Sequence, residues 1–224
     1  MKAGSKSGDA GAGKGPRRRP LLWTLGFLVV ALLGFAGYLI APFFLPSTTG
    51  SSGQGFVTEG FPLEVSATGE DGRSRTLSVA REDGSAPDLS ALIEGERLIV
   101  SGEGFNPASG IYVAICQVPD ALDLKPGPCL GGVPELDDTS PREQGSVDWA
   151  PSNWINNDWA WKLFGARGFD DMERGSFTAY LVVPPGKDET ADCLENRCGL
   201  YTRNDHTDLD NRVQDLYLPV SFGE

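Results

Sequence analysis

Apolar and polar residues alternate at every second position over much of the chain beyond residue 60. In the segment 110–118, GIYVAICQV, this alternation sets Ile111, Val113 and Ile115 on one face. A period of two is typical of β-strands that bury one face. The pattern predicts strands over residues 62–67, 75–81, 97–103, 110–118, 175–183, 198–202 and 216–222.

Clusters of Gly, Pro, Asn and Asp separate these strands. Short alternating runs with such turn signals are typical of an all-β, immunoglobulin-like antiparallel sandwich, here with about seven strands. Pro219 lies inside the last run. Because proline cannot donate to a sheet ladder, it indicates an edge strand or a bulge there.

A long segment at about 133–174 interrupts this pattern and contains four of the five tryptophans of the chain. Long irregular connections are uncommon in compact domains and are often functional. Residues 159–166 could form one short helical turn. We therefore take as a candidate interaction surface the aromatic residues Trp149, Trp154, Trp159, Trp161, Phe164 and Phe169.

Three interpretations of this aromatic segment remain open. Its indoles could pack on the sandwich as a folded flap. They could form a protein-binding surface, since Trp and Tyr are enriched at interface hot spots. They could also stack on sugar rings of a wall glycan, with Asn156, Asn157 and Asp158 as hydrogen-bonding neighbours.

Residues 21–45 carry no charged side chain and are long enough to span a bilayer as a helix, which needs roughly 20 apolar residues. A cleaved signal peptide is the alternative, but its apolar core is usually shorter, about 7–15 residues. We predict a transmembrane signal-anchor helix over 21–45.

Charge predicts the orientation of this helix. Residues 1–20 hold six basic side chains and one acid, a net charge of +5, which leaves 13 basic and 30 acidic side chains for residues 46 onward, a net charge of −17. The basic tail should be cytoplasmic and the rest extracytoplasmic. The acidic excess disfavours nucleic acid as a partner. We expect a flexible spacer at 46–55 and a domain at 56–224.

All four cysteines lie on the predicted outer side of the membrane, where disulfides form and persist. Three pairings are possible in principle, and proximity in sequence favours Cys116–Cys129 and Cys193–Cys198. A zinc site is disfavoured, because the spacings lack paired tight knuckles and disulfides would use all four thiols.

Four segments occur in a characteristic order: RLIVSGEGFNPASGIYVAIC, PGPCLGG, GSFTAYLVV and DCLENRCGLYTRNDHTDLDNRVQDLYLPVSF. Over about residues 75–224 they resemble the neocarzinostatin-type domain, the immunoglobulin-like apoproteins of actinobacterial enediyne chromoproteins. GIYVAIC, PCLGG and TRNDHT are more similar to membrane-anchored envelope proteins of mycolata. The resemblance implies two short-range disulfides. The anchor and the longer aromatic segment depart from the chromoproteins, so no chromophore contact is carried over and no cofactor is expected.

The segment around His206, the only histidine, offers two further possibilities. A hydrolase would use His206 as base with a neighbouring acid to orient it, but no nucleophile elbow is present. A calcium site would draw on the hard oxygen ligands of Asp205, Asp208, Asp210 and Asp215, although their spacing does not fit an EF-hand. We prefer turn and ion-pair roles for these residues.

The sequence therefore predicts a single-span, non-enzymatic interaction module. Its partner would be another membrane or exported protein, with the chain as a small accessory subunit or scaffold of a membrane or envelope complex, for example a respiratory one. The alternative is a module that binds a small apolar ligand or a cell-wall glycan, and a hydrolase ranks below both.

Overall fold

The computed structural model describes residues 19–44, 50–132 and 149–223. These residues belong to two compact units, 1–46 and 47–224.

The first unit contains one helix, α1, which spans Arg19–Phe44 and whose side chains are described for residues 23–35. Among the described residues, no helix has the length and apolar character needed to cross a membrane. The predicted span at 21–45 and the basic tail at 1–20 extend outside the described residues, so both stay predictions.

Over residues 50–132 and 149–223, the second unit contains two four-stranded antiparallel sheets and one short helix. The elements are β1 (Glu64–Thr68), β2 (Ser74–Arg81), β3 (Arg97–Glu103), β4 (Ile111–Gln117), β5 (Ser152–Ile155), α2 (Trp159–Lys162), β6 (Phe177–Val182), β7 (Cys198–Asn204) and β8 (Tyr217–Val220). All seven predicted strands are confirmed, as is the helical turn. An eighth strand, β5, lies inside the aromatic segment and was not predicted.

One apolar core lies between the two sheets, which have the orders β1-β2-β3-β6 and β5-β4-β7-β8. Ile111, Val113 and Ile115 of β4 are fully buried in it, as their alternation predicts. Leu98 and Leu181 form a cross-strand pair in the opposite sheet and are equally buried. Each such side chain stabilises the fold by roughly 1.5–3 kcal/mol through burial. The position of β8 confirms the edge strand inferred from Pro219.

The outer face of the second sheet is also covered. Ala114, Cys116, Tyr201 and Tyr217 form a second buried cluster there, with the rings of Tyr201 and Tyr217 stacked at 4.8 Å. Part of the cover is residues 50–57, which we call the strap. The side-chain amide of Gln54 donates to Tyr217 O and accepts from Tyr217 N, both at 2.8 Å.

The strap corrects the predicted flexible spacer at 46–55. Ser51 forms a parallel bridge with Arg212, and Glu70 N donates to Ser51 O at 2.9 Å. Val57 N donates to the Tyr217 hydroxyl at 2.8 Å. Residues 50–55 are therefore part of the domain, while the remainder of the predicted spacer, 46–49, lies outside the described residues.

Both favoured disulfides are present, Cys116–Cys129 and Cys193–Cys198, and no cysteine is free. The first ties β4 to the loop that follows it, on the covered outer face of the second sheet. In the chain-entropy model, a loop of this length stabilises the domain by about 3 kcal/mol.

Candidate functional site

The aromatic segment re-enters the fold at β5 and then forms a projecting turn around α2. Asp158 begins the helix, accepting a hydrogen bond from Ala160 N at 2.9 Å. Behind the turn the chain returns to β5, where Arg167 N donates to Trp154 O at 2.8 Å and Asn156 N donates to Arg167 O at 2.7 Å. The backbone therefore holds both ends of the turn against the edge of the second sheet.

The turn exposes three large apolar side chains, which we call the apolar apex. Trp159 is 76% exposed, Leu163 is 75% exposed and Phe164 is 55% exposed. Leu163 was not among the predicted surface residues. In the sequence, nothing distinguishes an exposed leucine beside aromatic residues from a buried one. Only the folded turn shows that Leu163 is at the surface.

Beneath the apex lies a cluster of four rings, which we call the aromatic base and in which Trp154 and His206 each contact the other three: Tyr112, Trp154, Trp161 and His206. The His206 ring centroid lies 4.8 Å from that of Trp161 and 5.2 Å from that of Trp154. The two indoles are 5.5 Å apart, and Tyr112 lies 5.9 Å from Trp154. These tilted and edge-on contacts are the geometry that aromatic side chains prefer when they pack. Phe164 joins the apex to the base, 6.2 Å from Trp161.

A buried carboxylate holds the aromatic base in place. Asp205 is fully buried, and its Oδ2 accepts from Trp154 Nε1 and from Asn156 Nδ2, each at 2.8 Å. Its Oδ1 accepts from the backbone N and the hydroxyl of Thr207 at 2.9 and 2.5 Å. Burial by itself raises the pKa of Asp205, but these hydrogen bonds outweigh burial and hold the pKa below its ordinary value.

Only glycine fits at the position beside this carboxylate. A Cβ on Gly110 would lie 1.9 Å from Asp205 Oδ2 and 2.3 Å from Asn156 Nδ2. The Gly110 carbonyl also accepts from Asp205 N at 2.9 Å. Because Gly110 has no side chain, the Asp205 carboxylate and its hydrogen-bond donors fit beside the start of β4.

In the hydrolase hypothesis, a neighbouring acid would orient the imidazole of His206, and Asp205 does not contact that ring. His206 Nδ1 lies 2.9 Å from the Tyr112 hydroxyl. The Asp205 carboxylate is instead turned toward Trp154, Asn156 and Thr207. The neighbouring acid thus orients an indole rather than the imidazole.

The four aspartates of the calcium hypothesis have separate surroundings and do not share a common partner. Asp205 holds the aromatic base, Asp208 accepts from Asn211 Nδ2 at 2.8 Å, and Asp215 pairs with Arg212 Nη1 at 2.9 Å. Asp210 is exposed. Within the described ranges, no group of three or more His, Cys, Asp or Glu residues could hold a metal ion.

The six aromatic residues predicted to form one surface divide into two groups. Trp154, Trp159, Trp161 and Phe164 come together at the projecting turn. Phe169 is instead buried against Phe177, with ring centroids 6.1 Å apart. Trp149 lies edge-on to Tyr180 at 5.4 Å, and the Arg97 guanidinium stands 5.1 Å from its ring. These two residues join the aromatic segment to the first sheet, as the flap interpretation predicts.

Comparisons of this chain with protein-family models, with curated proteins and with solved structures found no match.

Proposed function

We propose that this protein is a non-catalytic interaction module that binds a partner protein through the apolar apex. The observation that carries the proposal is three exposed large apolar side chains standing on a packed and hydrogen-bonded aromatic base. Exposed apolar side chains are common singly, whereas adjacent ones often mark interaction sites.

Rigidity of the site supports this proposal. Trp161 is held by ring contacts with Trp154 and His206, and Trp154 is held by Asp205. Side chains that are already ordered lose little conformational freedom on binding, which improves affinity. The apex therefore has the character of a hot spot, in which large aromatic anchors supply most of the binding energy.

The ring orientations favour a protein partner over a glycan. A sugar-stacking platform would present exposed rings in one plane. Here Trp161 is inclined by 46° to Trp154 and by 52° to Phe164. Trp159, Leu163 and Phe164 instead form a raised surface that fits a complementary hollow in a protein.

The membrane anchor and the family resemblance belong to the same proposal. The uncharged run 21–45 and the change from a basic tail to an acidic domain support a single-pass envelope protein with its domain outside. Pairing of β3 with β6 in one sheet, and of β4, β7 and β8 in the other, supports an immunoglobulin-like arrangement. It agrees with the neocarzinostatin-like resemblance.

Site-specific photocrosslinking in intact membranes tests this function. A photoreactive amino acid at Leu163 should give one product of defined mass. The same group at Ile93, which is 68% exposed but lies far along the chain from the turn, is the matched control and should give none. Trp159→Ala should abolish the product from position 163. A chain that gives no product from position 163 would rule out a bound partner at the apex.

A further inference from the structure

The strap is attached to the domain through hydrogen bonds of Gly50, Ser51, Gln54 and Val57, and Val57 also packs against the cluster that contains Tyr201 and Tyr217. Its Gln54 amide and its Val57 N–H bind Tyr217, and Gly50 O accepts from Arg212 N at 3.0 Å. Gly53, Gly55 and Phe56 are exposed. Local opening of this segment would break these contacts while leaving the apolar core between the two sheets intact, because that core contains no strap residue.

A small cavity lies under the strap, between Ser52 and Gln54 on one side and Tyr201, Asp215 and Tyr217 on the other. It contains about 10 Å³ of space, close to what one water molecule requires. Two buried oxygens in its wall, Asp215 Oδ1 and Tyr201 Oη, have no hydrogen-bond partner among the described residues. A buried polar atom without a partner costs about 1–3 kcal/mol, and more when it is charged.

The charges that face Asp215 satisfy only one side of its carboxylate. Arg212 Nη1 donates to Oδ2, and Arg203 of β7 adds a second positive charge nearby. The backbone N–H of Asn204 also favours the ionised carboxylate. Tyr201 and Tyr217 are the titratable groups of β7 and β8 that adjoin it. The loop at 119–126 brings Lys125, whose charge faces Arg203 and Arg212, together with Asp120 and Asp123. The strap itself contains no titratable side chain.

We propose that Asp215 is a proton-controlled latch, which keeps the strap closed while it is protonated and releases the strap when it ionises. A protonated Asp215 is neutral and fits the enclosed cavity. An ionised Asp215 leaves a charged, unpartnered Oδ1 under the strap, and opening the strap gives that oxygen access to water. Burial raises the pKa of Asp215 in the closed state to about 7 despite the two arginines, so opening of the strap should become progressively more favourable as the pH rises to about 7.

Release of the strap would uncover the outer face of β7 and β8 at Tyr201 and Tyr217. This surface differs from the apolar apex, which lies beside β5 at the opposite edge of the second sheet. The latch therefore does not depend on the proposed protein-binding function, and either can fail without the other.

Hydrogen exchange of the full chain in detergent micelles tests the latch. The reporters are the amides of Val57 and Tyr217, corrected for the intrinsic pH dependence of exchange. If opening accompanies the loss of one proton, their corrected exchange should rise by up to about tenfold for each pH unit between about pH 4, the ordinary pKa of an exposed Asp, and about pH 7, and should level off above that. The amides between β2 and β3 should not change.

Variants give the latch its controls. Asp215→Asn should keep the strap protected at both about pH 6 and about pH 8.5, because a neutral amide replaces the titrating group. Asp210→Asn, at an exposed acid five residues earlier, should behave as the wild type. Gln54→Ala should expose the same amides at both values and so provide the spectrum of the open state.

Three results would overturn the proposal. The strap could exchange freely already at about pH 6, it could stay protected at about pH 8.5, or Asp215→Asn could retain the wild-type pH dependence. The β2–β3 amides show in each case whether the variant is folded, so an unfolded Asp215→Asn protein is recognised. The corrected exchange rates of the Val57 and Tyr217 amides in the wild type at high pH would then be compared with those in Gln54→Ala. Different rates in the two proteins would contradict the latch.

Discussion

Two buried aspartates, ten residues apart in the segment that contains β7 and β8, show opposite behaviour. Asp205 receives four hydrogen bonds from neutral donors, and its pKa is lowered. Asp215 forms an ion pair with Arg212, leaves one oxygen without a partner, and has its pKa raised to about 7 by burial. Hydrogen bonds to both oxygens of Asp205 thus stabilise that buried carboxylate better than the positive charges of Arg212 and Arg203 stabilise Asp215.

The pKa shifts imply opposite dependences of stability on pH. The folded pKa of Asp205 is below its unfolded value, so its contribution is present above about pH 4 and is lost as the pH falls. The folded pKa of Asp215 is above its unfolded value, so its contribution is complete below about pH 4 and is lost as the pH rises through about 7.

The largest effect should come from filling the space beside Asp205. Gly110→Ala places a methyl group 1.9 Å from Asp205 Oδ2, so the carboxylate must move away from its donors. We expect a loss of about 4 kcal/mol in the free energy of unfolding, measured by urea denaturation. Gly55→Ala is the control, because nothing lies within 4 Å of its added Cβ. Similar stability of the two variants would contradict the tight fit at Gly110.

Asp205→Asn should have the next largest effect. The amide has nearly the same shape, but its NH₂ group would face donors, Trp154 Nε1 and Asn156 Nδ2 or Thr207 N, according to its orientation. We expect a loss of about 3 kcal/mol, since hydrogen bonds to a charged acceptor are replaced by an unsatisfied contact. Unfolding followed by tryptophan fluorescence measures it, with Asp210→Asn as the exposed control. Equal stabilities would show that the charge is dispensable.

Asp215 should govern the pH dependence of stability near neutrality. We expect the wild type to lose about 2 kcal/mol between about pH 5 and pH 7, because the folded state holds a proton that the unfolded state has released. Asp215→Asn should remove most of this slope. Thermal unfolding at several pH values measures both proteins. A wild type that gains stability over this range would reverse the assignment for Asp215.

The smallest effect concerns one hydrogen bond in the aromatic base. Trp154→Phe keeps an aromatic ring but removes the Nε1–H that Asp205 accepts. We expect a loss of about 1.5 kcal/mol. A double-mutant cycle with Asp205→Asn should then give a coupling of about 1 kcal/mol between the two positions. Additive losses would mean that Asp205 does not act through Trp154.

The sandwich could be predicted because each strand has one face in the core. Residues 97–103 and 110–118 alternate for this reason, and their ends agree with β3 and β4 within a residue. β5 has only four residues, Ser152–Ile155, which is too short for a period of two to be evident.

The candidate site was predictable only in part, because its parts are far apart in sequence. Asp205 lies 51 residues from Trp154 and 49 from Asn156. Its local surroundings, NDHT, are those of an ordinary turn. The tryptophans indicated an unusual segment, but their positions in the sequence did not show which of them lie at the turn and which, like Trp149, pack against the first sheet.

The amide of Gln54 also has a consequence for solubility. It binds the backbone N–H and C=O of Tyr217 as a neighbouring strand would, and Pro219 has no N–H to offer. The last edge of the second sheet is therefore closed to strands from other copies of the chain, although no strand among the described residues pairs with it. Exposed sheet edges are templates for intermolecular pairing. A domain that began after residue 57 would keep its core and both disulfides, yet it would present an open edge on which filaments could grow.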